Sequence, residues 1–318
     1  ESEFAILKTE QLTQYEQNKS EPTALASIRI RRILHDYPSD DVRYTPTIEE
    51  QIERIKEVSL DQLKTLHDDY LGSEHGELSV VGDFEPSEVL PLVEKALRGW
   101  KADRPYSRIE EPYQEVKAEQ VTIETPDKAN AIYLGGITLP MKDEDPDYPG
   151  MVIATDVLGG SGLSSRLGDR LRQKGGLSYG AGANFRADAE DKSAGMTIYA
   201  IFNPQNTDKV NTGVHEELEK LVKEGITEEE LKKAVNGYLQ QRQVQRTNDS
   251  YLASLLSNNL YLGRSLKFQA EQEEKVQALG IEDVNRVLKE HIDPKTLTQV
   301  IAGDLKKAET EEKPDDQK

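Results

Sequence analysis

The 318-residue chain is strongly acidic: 59 Asp and Glu residues outnumber 40 Lys and Arg, giving a net charge of −19, and only 36% of its residues are hydrophobic. This charge argues against binding to nucleic acids or anionic membranes, which attract basic surfaces. The absence of cysteine excludes disulfides, thiolate zinc sites and cysteine nucleophiles, and the sequence has no apolar run of bilayer length.

Apolar residues recur at helical spacing through the first hundred residues. Pro22 suits a helix start, and Ser59 precedes a leucine-rich helical pattern. The length predicts two domains, and residues 105–112, with two prolines and several charges, form the predicted linker. The remaining predicted helices lie within 1–35, through Ile48, Ile52 and Ile55, after Ser59, and within 83–100. The predicted strands are 78–81, 121–125, 131–139, 178–186 and 194–202.

Two parts of the chain resemble each other. Val-Val-Gly-Asp at 80–83 reappears as Ile-Ala-Gly-Asp at 301–304, an offset of 221, and Leu-Ala-Ser at 25–27 reappears at 252–254, an offset of 227. The six-residue difference falls in a loop, where an insertion costs little. Similar helix phases alone would produce part of this agreement, but the shared Gly-Asp after a short strand favours an internal duplication.

The duplication predicts how the chain is organised. We expect an α+β fold of duplicated sandwich domains, with helices packed on one face of a mostly antiparallel sheet and an incomplete first copy. The first copy has no counterpart of the second copy's front half, so we expect an upstream segment of comparable size. The predicted boundaries are 1–104 for the back half of a first domain, 105–112 for the linker, 113–307 for a complete second domain and 308–318 for a disordered tail.

The stretch 158–180 is the largest local departure from the acidic background. It holds seven of the 22 glycines in 23 residues. Glycine inside a helix or strand costs about 0.5–1 kcal/mol relative to alanine, so this density predicts close backbone approach or backbone freedom. Between the glycines lies a basic helical segment that contains Arg166, Arg170, Arg172 and Lys174.

Three common chemistries find little support in the sequence. No histidine has the second imidazole and glutamate that a helical zinc motif requires. The glycines at 159–162 follow a predicted helix, whereas a nucleotide loop follows a strand. Gly176-x-Ser178-x-Gly180 matches the nucleophile-elbow consensus, but the strand comes after the serine instead of before it.

Arg172 and Tyr179 remain as candidates, seven residues apart across the Gly175–Gly176 break. Arginine offers five fixed donors and tyrosine a hydroxyl. Together they could hold a peptide carbonyl or stabilise an oxyanion if both point into one cleft. Their spacing alone is explained more simply by a surface arginine and a half-buried tyrosine.

The whole stretch, LGGSGLSSRLGDRLRQKGGLSYG, resembles the second-domain signature of the pitrilysin/insulinase family of zinc metallopeptidases, and residues 60–82 with their closing V-x-G-D extend the resemblance. It covers most of residues 1–306. The resemblance implies tandem domains enclosing a peptide chamber, with zinc held in one domain by an inverted His-x-x-Glu-His and a distal glutamate. It also implies that Arg172 and Tyr179 bind substrate and stabilise the transition state, and that Gly159, Gly160 and Gly162 belong to a substrate-binding loop.

The inverted zinc motif itself is missing from this sequence. In the family it lies in the front half of a domain, which the first copy lacks. Either a catalytic front half precedes this chain, or the missing piece belongs to a non-catalytic domain of a four-domain enzyme, which the loop 37–44 favours. Without zinc ligands the chain cannot activate a metal-bound water.

The resemblance therefore predicts the C-terminal portion of a zinc metalloendopeptidase, inactive alone, with peptide substrate and a zinc-bearing domain or subunit as partners. The alternative is a catalytically inactive relative that acts as a scaffold or peptide-binding subunit, like the core subunits of respiratory complexes. A negative chamber would favour basic peptides. The sequence does not determine the compartment, and bacterial periplasm and cytoplasm are both compatible with it.

Overall fold

The computed structural model describes residues 1–306, which form helices around one five-stranded sheet. The α-helices before the sheet are α1 Ser2–Asn18, α2 Pro22–Leu34, α3 Ile48–Glu57, α4 Leu60–Tyr70 and α5 Pro86–Leu97. The later ones are α6 Tyr148–Thr155, α7 Thr207–Glu224, α8 Glu228–Gln245, α9 Asp249–Tyr261, α10 Leu266–Gln277 and α11 Ile281–His291. The strands are β1 Gln120–Glu124, β2 Ala131–Leu139, β3 Ser178–Ala187, β4 Ala194–Phe202 and β5 Thr298–Gly303.

The sheet is mixed, with strand order β1-β5-β2-β4-β3. β1 runs parallel to β5, and the other three pairings are antiparallel. An α+β fold with a mostly antiparallel sheet is therefore confirmed. β5, the last strand of the described chain, lies between β1 and β2. The sheet is therefore complete only when residues far apart in sequence pair.

The main hydrophobic core lies on one face of this sheet. β4 alternates between buried and exposed residues along its length, as a strand with one covered face does. Its buried residues Met196, Ile198 and Phe202 join side chains from α6, α7, α8, α10 and α11. This face also positions the glycine-rich segment, which follows α6 directly.

The opposite face is only partly covered, and by a helix from the first part of the chain. Ala26 and Ile33 of α2 pack against Ile132 of β2 and Val300 of β5. A Cβ on Gly136 would lie 2.4 Å from a methyl carbon of Leu34, so the glycine lets α2 approach closely. The expectation that helices pack on one face only is therefore wrong, because α2 supplies an apolar stripe that no sequence pattern assigns to a particular sheet.

The strand expected at 78–81 does not form. Leu78 and Val80 are exposed, and within residues 1–306 no strand pairs with this segment. Its proposed counterpart in the repeat, β5, is hydrogen-bonded on both sides, by β1 and β2. A strand requires a partner for its backbone groups, and β propensity alone does not supply one.

The structure leaves the predicted tail and domain boundaries untested. The predicted tail, 308–318, lies outside the described residues, and the boundaries at 104, 112 and 307 stay predictions. None of the helices among residues 1–306 combines the length and apolar character that a bilayer-spanning helix needs.

Candidate functional site

The glycine-rich segment begins with a π-helical turn, Asp156–Gly160, that lies directly on β3. A Cβ on Gly159 would sit 2.1 Å from the backbone nitrogen of Ala183, so any side chain there would displace the turn from the strand. Gly159 is buried, whereas Gly160 and Gly162 are exposed. The structure therefore explains Gly159 by packing, and a substrate-binding role for the three glycines stays a prediction.

The loop that follows is held by its own hydrogen bonds. The buried hydroxyl of Ser165 donates to the carbonyl oxygen of Gly162 at 2.5 Å and accepts from the backbone N–H of Gly168 at 3.1 Å. Gly162 has φ +59°, a conformation that favours glycine. Ser161 donates to Asp156 at 2.6 Å, and burial, partly offset by this bond, raises the pKa of Asp156. These hydrogen bonds hold the loop in the observed conformation.

Three of the four cations in the basic segment already have partners. Arg166 forms a bidentate pair with Glu230, starting at 2.7 Å, and its Nη2 also donates to the carbonyl oxygen of Gly225. Arg170 pairs with Glu216 and Lys174 with Asp169, each at 2.7 Å.

Arg172 is the fourth cation. It is exposed, and its side chain makes no hydrogen bond or ion pair with any residue from 1 to 306. The basic segment is therefore not a general positive patch. It presents a single uncommitted guanidinium.

Tyr179 lies at a β-bulge at the start of β3. Ser178 is opposite Phe202 on β4 and Gly180 is opposite Ile201, so Tyr179 is the extra residue between two regular pairs. Bulges often redirect a side chain at a sheet edge. Tyr179 is 61% exposed.

The backbones of the two candidate residues are tied together, but their side chains are not. The N–H of Leu177 donates to the carbonyl oxygen of Leu171 at 2.7 Å, and the N–H of Gly176 donates to that of Arg172 at 3.2 Å. These bonds hold the end of the π-helical turn Gly168–Lys174 against the start of β3. Arg172 and Tyr179 themselves form no hydrogen bond with each other in the described chain. Their side chains are two separate exposed groups on a segment whose backbone is hydrogen-bonded.

Ser178 does not have the environment of a nucleophile. Its hydroxyl is buried and has no hydrogen-bond partner within residues 1–306. A catalytic serine must be reachable and must contact a base. The esterase interpretation of Gly176-x-Ser178-x-Gly180 therefore gains no support.

One group of potential metal ligands was not found by sequence reasoning. Ligand atoms of Asp147, Glu290 and His291 lie within 4.8 Å of one another. Arg286 pairs with both carboxylates at 2.6 Å, and His291 Nε2 lies 2.8 Å from Asp147. The Arg286–Glu290 spacing of i,i+4 was visible in the sequence, but Asp147 joins only through the fold. We interpret the group as an ion-pair network between α11 and the start of α6.

With this geometry described, comparison with known proteins gives the family. Residues 57–238, more than half of the chain, match the family described as the peptidase M16 inactive domain. The chain belongs to this family. The resemblance to pitrilysin-like proteins is thus confirmed, in the inactive branch, which agrees with the absence of the inverted zinc motif from the sequence.

Two curated relatives are each 28% identical to the chain. One is the non-peptidase homolog YmxG of Helicobacter pylori, over 262 residues, 80% of this chain and 58% of the relative. The other is the uncharacterized zinc protease YmxG of Bacillus subtilis, over 228 residues, 71% and 53%. The chain thus spans little more than half the length of these relatives.

Solved structures support the fold. The crystal structure of a peptidase M16 inactive domain from Pseudomonas fluorescens matches with a TM-score of 0.77 at 21% identity, over 95% of this chain and 70% of that one. A protease from Helicobacter pylori matches with a TM-score of 0.76 at 20% identity, over 95% and 72%. At such identities the likeness establishes the architecture and no more.

Proposed function

We propose that this chain is a non-catalytic, peptide-binding member of the M16 family that associates with a partner domain without forming an active peptidase. The observation that carries the proposal is the difference between Arg172 and the other cations of its segment. Three of them are neutralised by carboxylates, two of which come from α7 and α8, while Arg172 stays unpaired and close in sequence to an exposed tyrosine at a bulge.

The chemistry of the two residues suits a peptide backbone. An unpaired guanidinium donates to carbonyl oxygens, and a phenol both donates and accepts. Holding both on a hydrogen-bonded base lowers the entropy lost on binding. In this proposal Arg172 and Tyr179 hold the peptide for binding alone, whereas hydrolysis by a zinc-bound water belongs to the second candidate described below.

The partner surface is proposed to lie on the first part of the chain. Large apolar side chains on and around α4 and α5 are exposed, including Leu66 at 52% and Leu90 at 59%. Exposed apolar surface of this extent marks an interaction site. If residues 1–104 are the back half of a duplicated domain, the segment 78–81 corresponds to the central strand β5, and we propose that strands of the partner pair with it.

A second candidate is a portion of an active zinc metalloendopeptidase. The relative called a zinc protease favours it, as does the similarity in fold to the periplasmic protease PqqL from Escherichia coli, with a TM-score of 0.66 at 16% identity over 94% of this chain and 32% of that one. The inactive-domain family and the relative called a non-peptidase homolog favour the first proposal.

Binding of a fluorescent, extended twelve-residue peptide to the 318-residue chain tests the first proposal. We expect Arg172→Gln to weaken binding about tenfold, because one charge-assisted hydrogen bond contributes about 1.5–3 kcal/mol. Arg170→Gln is the matched control, since it lies in the same turn but pairs with Glu216, and it should change the affinity less than twofold. Equal affinities for wild type and Arg172→Gln would contradict the proposal.

Hydrolysis distinguishes the two candidates. The chain alone should cleave no peptide in either case, because it lacks the zinc motif. The chain mixed with the zinc-bearing protein encoded nearest to it should cleave peptides only if the assembly is an active peptidase, and then Arg172→Gln should slow cleavage.

A further inference from the structure

A small cleft lies among three helices on the side of the sheet that carries the main hydrophobic core. Its volume is about 110 Å³, and α8, α9, α10 and the region around the start of α6 line it. The polar groups in its wall include Arg242, Tyr251 and Gln272, and Tyr148 and Phe268 contribute aromatic surface. The proposed peptide-binding function does not use any of these residues.

Arg242 brings an uncompensated positive charge to this cleft. Arg242 donates two hydrogen bonds, both from Nη1, to the hydroxyl of Tyr251 at 3.1 Å and to Gln245 Oε1 at 3.2 Å. Its guanidinium carbon lies 4.8 Å from the centre of the Tyr238 ring, and the Tyr238 hydroxyl is a further polar neighbour. Within residues 1–306 no carboxylate forms an ion pair with Arg242.

The acidic residues of the cleft are already committed to other arginines. Asp143 accepts two hydrogen bonds from Arg264, at 2.7 and 2.9 Å. Glu273 pairs with Arg246. Neither carboxylate is therefore free to balance Arg242, and a partly buried cation without a counter-charge is costly.

Gln272 adds an unsatisfied acceptor. Its side chain is buried, with 6% of the residue exposed, and its Nε2 donates to the carbonyl oxygen of Asp143 at 3.1 Å. This bond fixes the amide orientation, because a carbonyl oxygen can only accept. The Oε1 atom is therefore defined, and it has no hydrogen-bond partner in the described chain. A buried acceptor in this state destabilises the fold unless a ligand supplies a donor.

We propose that the cleft binds the C-terminal carboxylate of a peptide. The carboxylate accepts hydrogen bonds from the Nε–Nη2 edge of Arg242, the side that arginine offers for bidentate pairing. The backbone N–H of the same terminal residue donates to Gln272 Oε1. A phosphate would satisfy Arg242 but would bring no N–H to Gln272.

The size of the cleft limits the terminal residue. Its volume of about 110 Å³ corresponds to about three or four water molecules at roughly 30 Å³ each. Glycine or alanine fits best. Tyr148 in the same wall is neutral at pH 7, because burial raises its pKa to about 12. The two carboxylates of the wall, Asp143 and Glu273, are paired with Arg264 and Arg246.

Titration of the 318-residue chain with acetyl-Ala-Ala-Gly as the free acid and as the amide tests the proposal. We expect the free acid to bind about tenfold or more tightly than the amide, the effect of one charge-assisted bond. Arg242→Gln should abolish this preference, and Arg242→Lys should remove most of it while keeping the charge. Arg172→Gln should leave it unchanged, which separates this site from the proposed peptide-binding function.

Further ligands test whether the cleft requires a peptide's C-terminal carboxylate or accepts any carboxylate. Acetate alone should bind more weakly than acetyl-Ala-Ala-Gly, because it lacks the N–H. Amidated acetyl-Ala-Glu-Ala should bind no better than the amide control. Equal binding of acid and amide, survival of the preference in the folded Arg242→Gln variant, or tight binding of the internal glutamate peptide would overturn the assignment.

Discussion

Residues 113–306 contain most of the buried hydrophobic side chains, whereas α1, α4 and α5 of residues 1–112 contain no buried residue. Both regions nevertheless form regular helices. In the second region the helices pack on a sheet, and in the first only α2 reaches that sheet. The difference shows that capping residues and helix propensity are enough to form a helix in this chain. Burial of a helix's apolar side chains depends on a sheet surface against which the helix can pack.

The comparison predicts that the same substitution lowers the free energy of unfolding by very different amounts in the two regions. Leu218 on α7 is fully buried and Leu66 on α4 is 52% exposed. We expect Leu218→Ala to lower the free energy of unfolding by about 2–5 kcal/mol through cavity formation, and Leu66→Ala by less than about 0.5 kcal/mol. Urea unfolding measures both, and a large effect of Leu66→Ala would show that α4 is packed in solution.

A second prediction concerns the tie between the regions. Arg108, in the linker, forms a bidentate pair with Asp191 in the β3–β4 turn, at 2.7 Å for each bond. We expect Asp191→Asn to cost about 1–3 kcal/mol at neutral pH, because it removes charge-assisted hydrogen bonds.

The pH dependence of this tie follows from the same pair. The hydrogen bonds of Arg108 lower the pKa of Asp191 from 3.8 to about 2. The folded pKa is depressed, so the stabilisation is complete above the unfolded value of 3.8 and is lost as pH falls toward 2. Thermal unfolding of wild type and Asp191→Asn should differ at pH 7 and converge near pH 2. A constant difference would contradict this assignment.

A third prediction is a stabilising substitution within the well-packed region. Burial raises the folded pKa of Asp156 above 3.8, so the wild-type protein loses stability as pH rises through this raised value. Asp156→Asn should therefore stabilise the chain by about 1 kcal/mol at pH 7, and the gain should vanish below pH 3.8, where the wild-type carboxyl is protonated in both states. Ser161→Ala, which removes the donor to Asp156, should do the opposite at pH 7.

The smallest expected effect comes from net charge. With −19 distributed over the chain, basic peptides should bind about two- to fivefold better than acidic ones of equal length at 20 mM salt, a difference below about 1 kcal/mol. At 0.5 M salt the preference should disappear, since the Debye length shortens from about 10 Å at 0.1 M toward 3 Å at 1 M. Equal affinities at low salt would exclude a charge-directed chamber.

Much of the local structure could be predicted from particular residues. Thr47 and Glu50, and Ser59 and Gln62, form capping boxes at the starts of α3 and α4, and such pairs act within a single turn. The predicted strands at 131–139 and 194–202 match β2 and β4 in full. β4 alternates apolar residues over one covered face, and β2 is a largely apolar run buried on both faces.

The site was less predictable. The sequence identified Arg172 and Tyr179 only through a resemblance, since their spacing fits an ordinary surface. Four cations in one segment suggested a positive patch, but Glu216 and Glu230, which neutralise two of them, lie more than forty residues away. Nothing in the sequence pointed to Gln272 and Arg242. An amide oxygen without a hydrogen-bond donor, or an arginine without a carboxylate, can be recognised only when the surrounding residues of the fold are known.

By itself, the sequence determined the helices, the strand periodicity, the glycine-rich turn and the family, since these depend on propensity, capping and short motifs. Only the tertiary structure decided that 78–81 is not a strand, that α2 covers the second face of the sheet, and which arginines remain unpaired. The physical reason is that hydrogen-bond partners, counter-charges and packing surfaces come from residues distant in sequence, and no local pattern records where they meet.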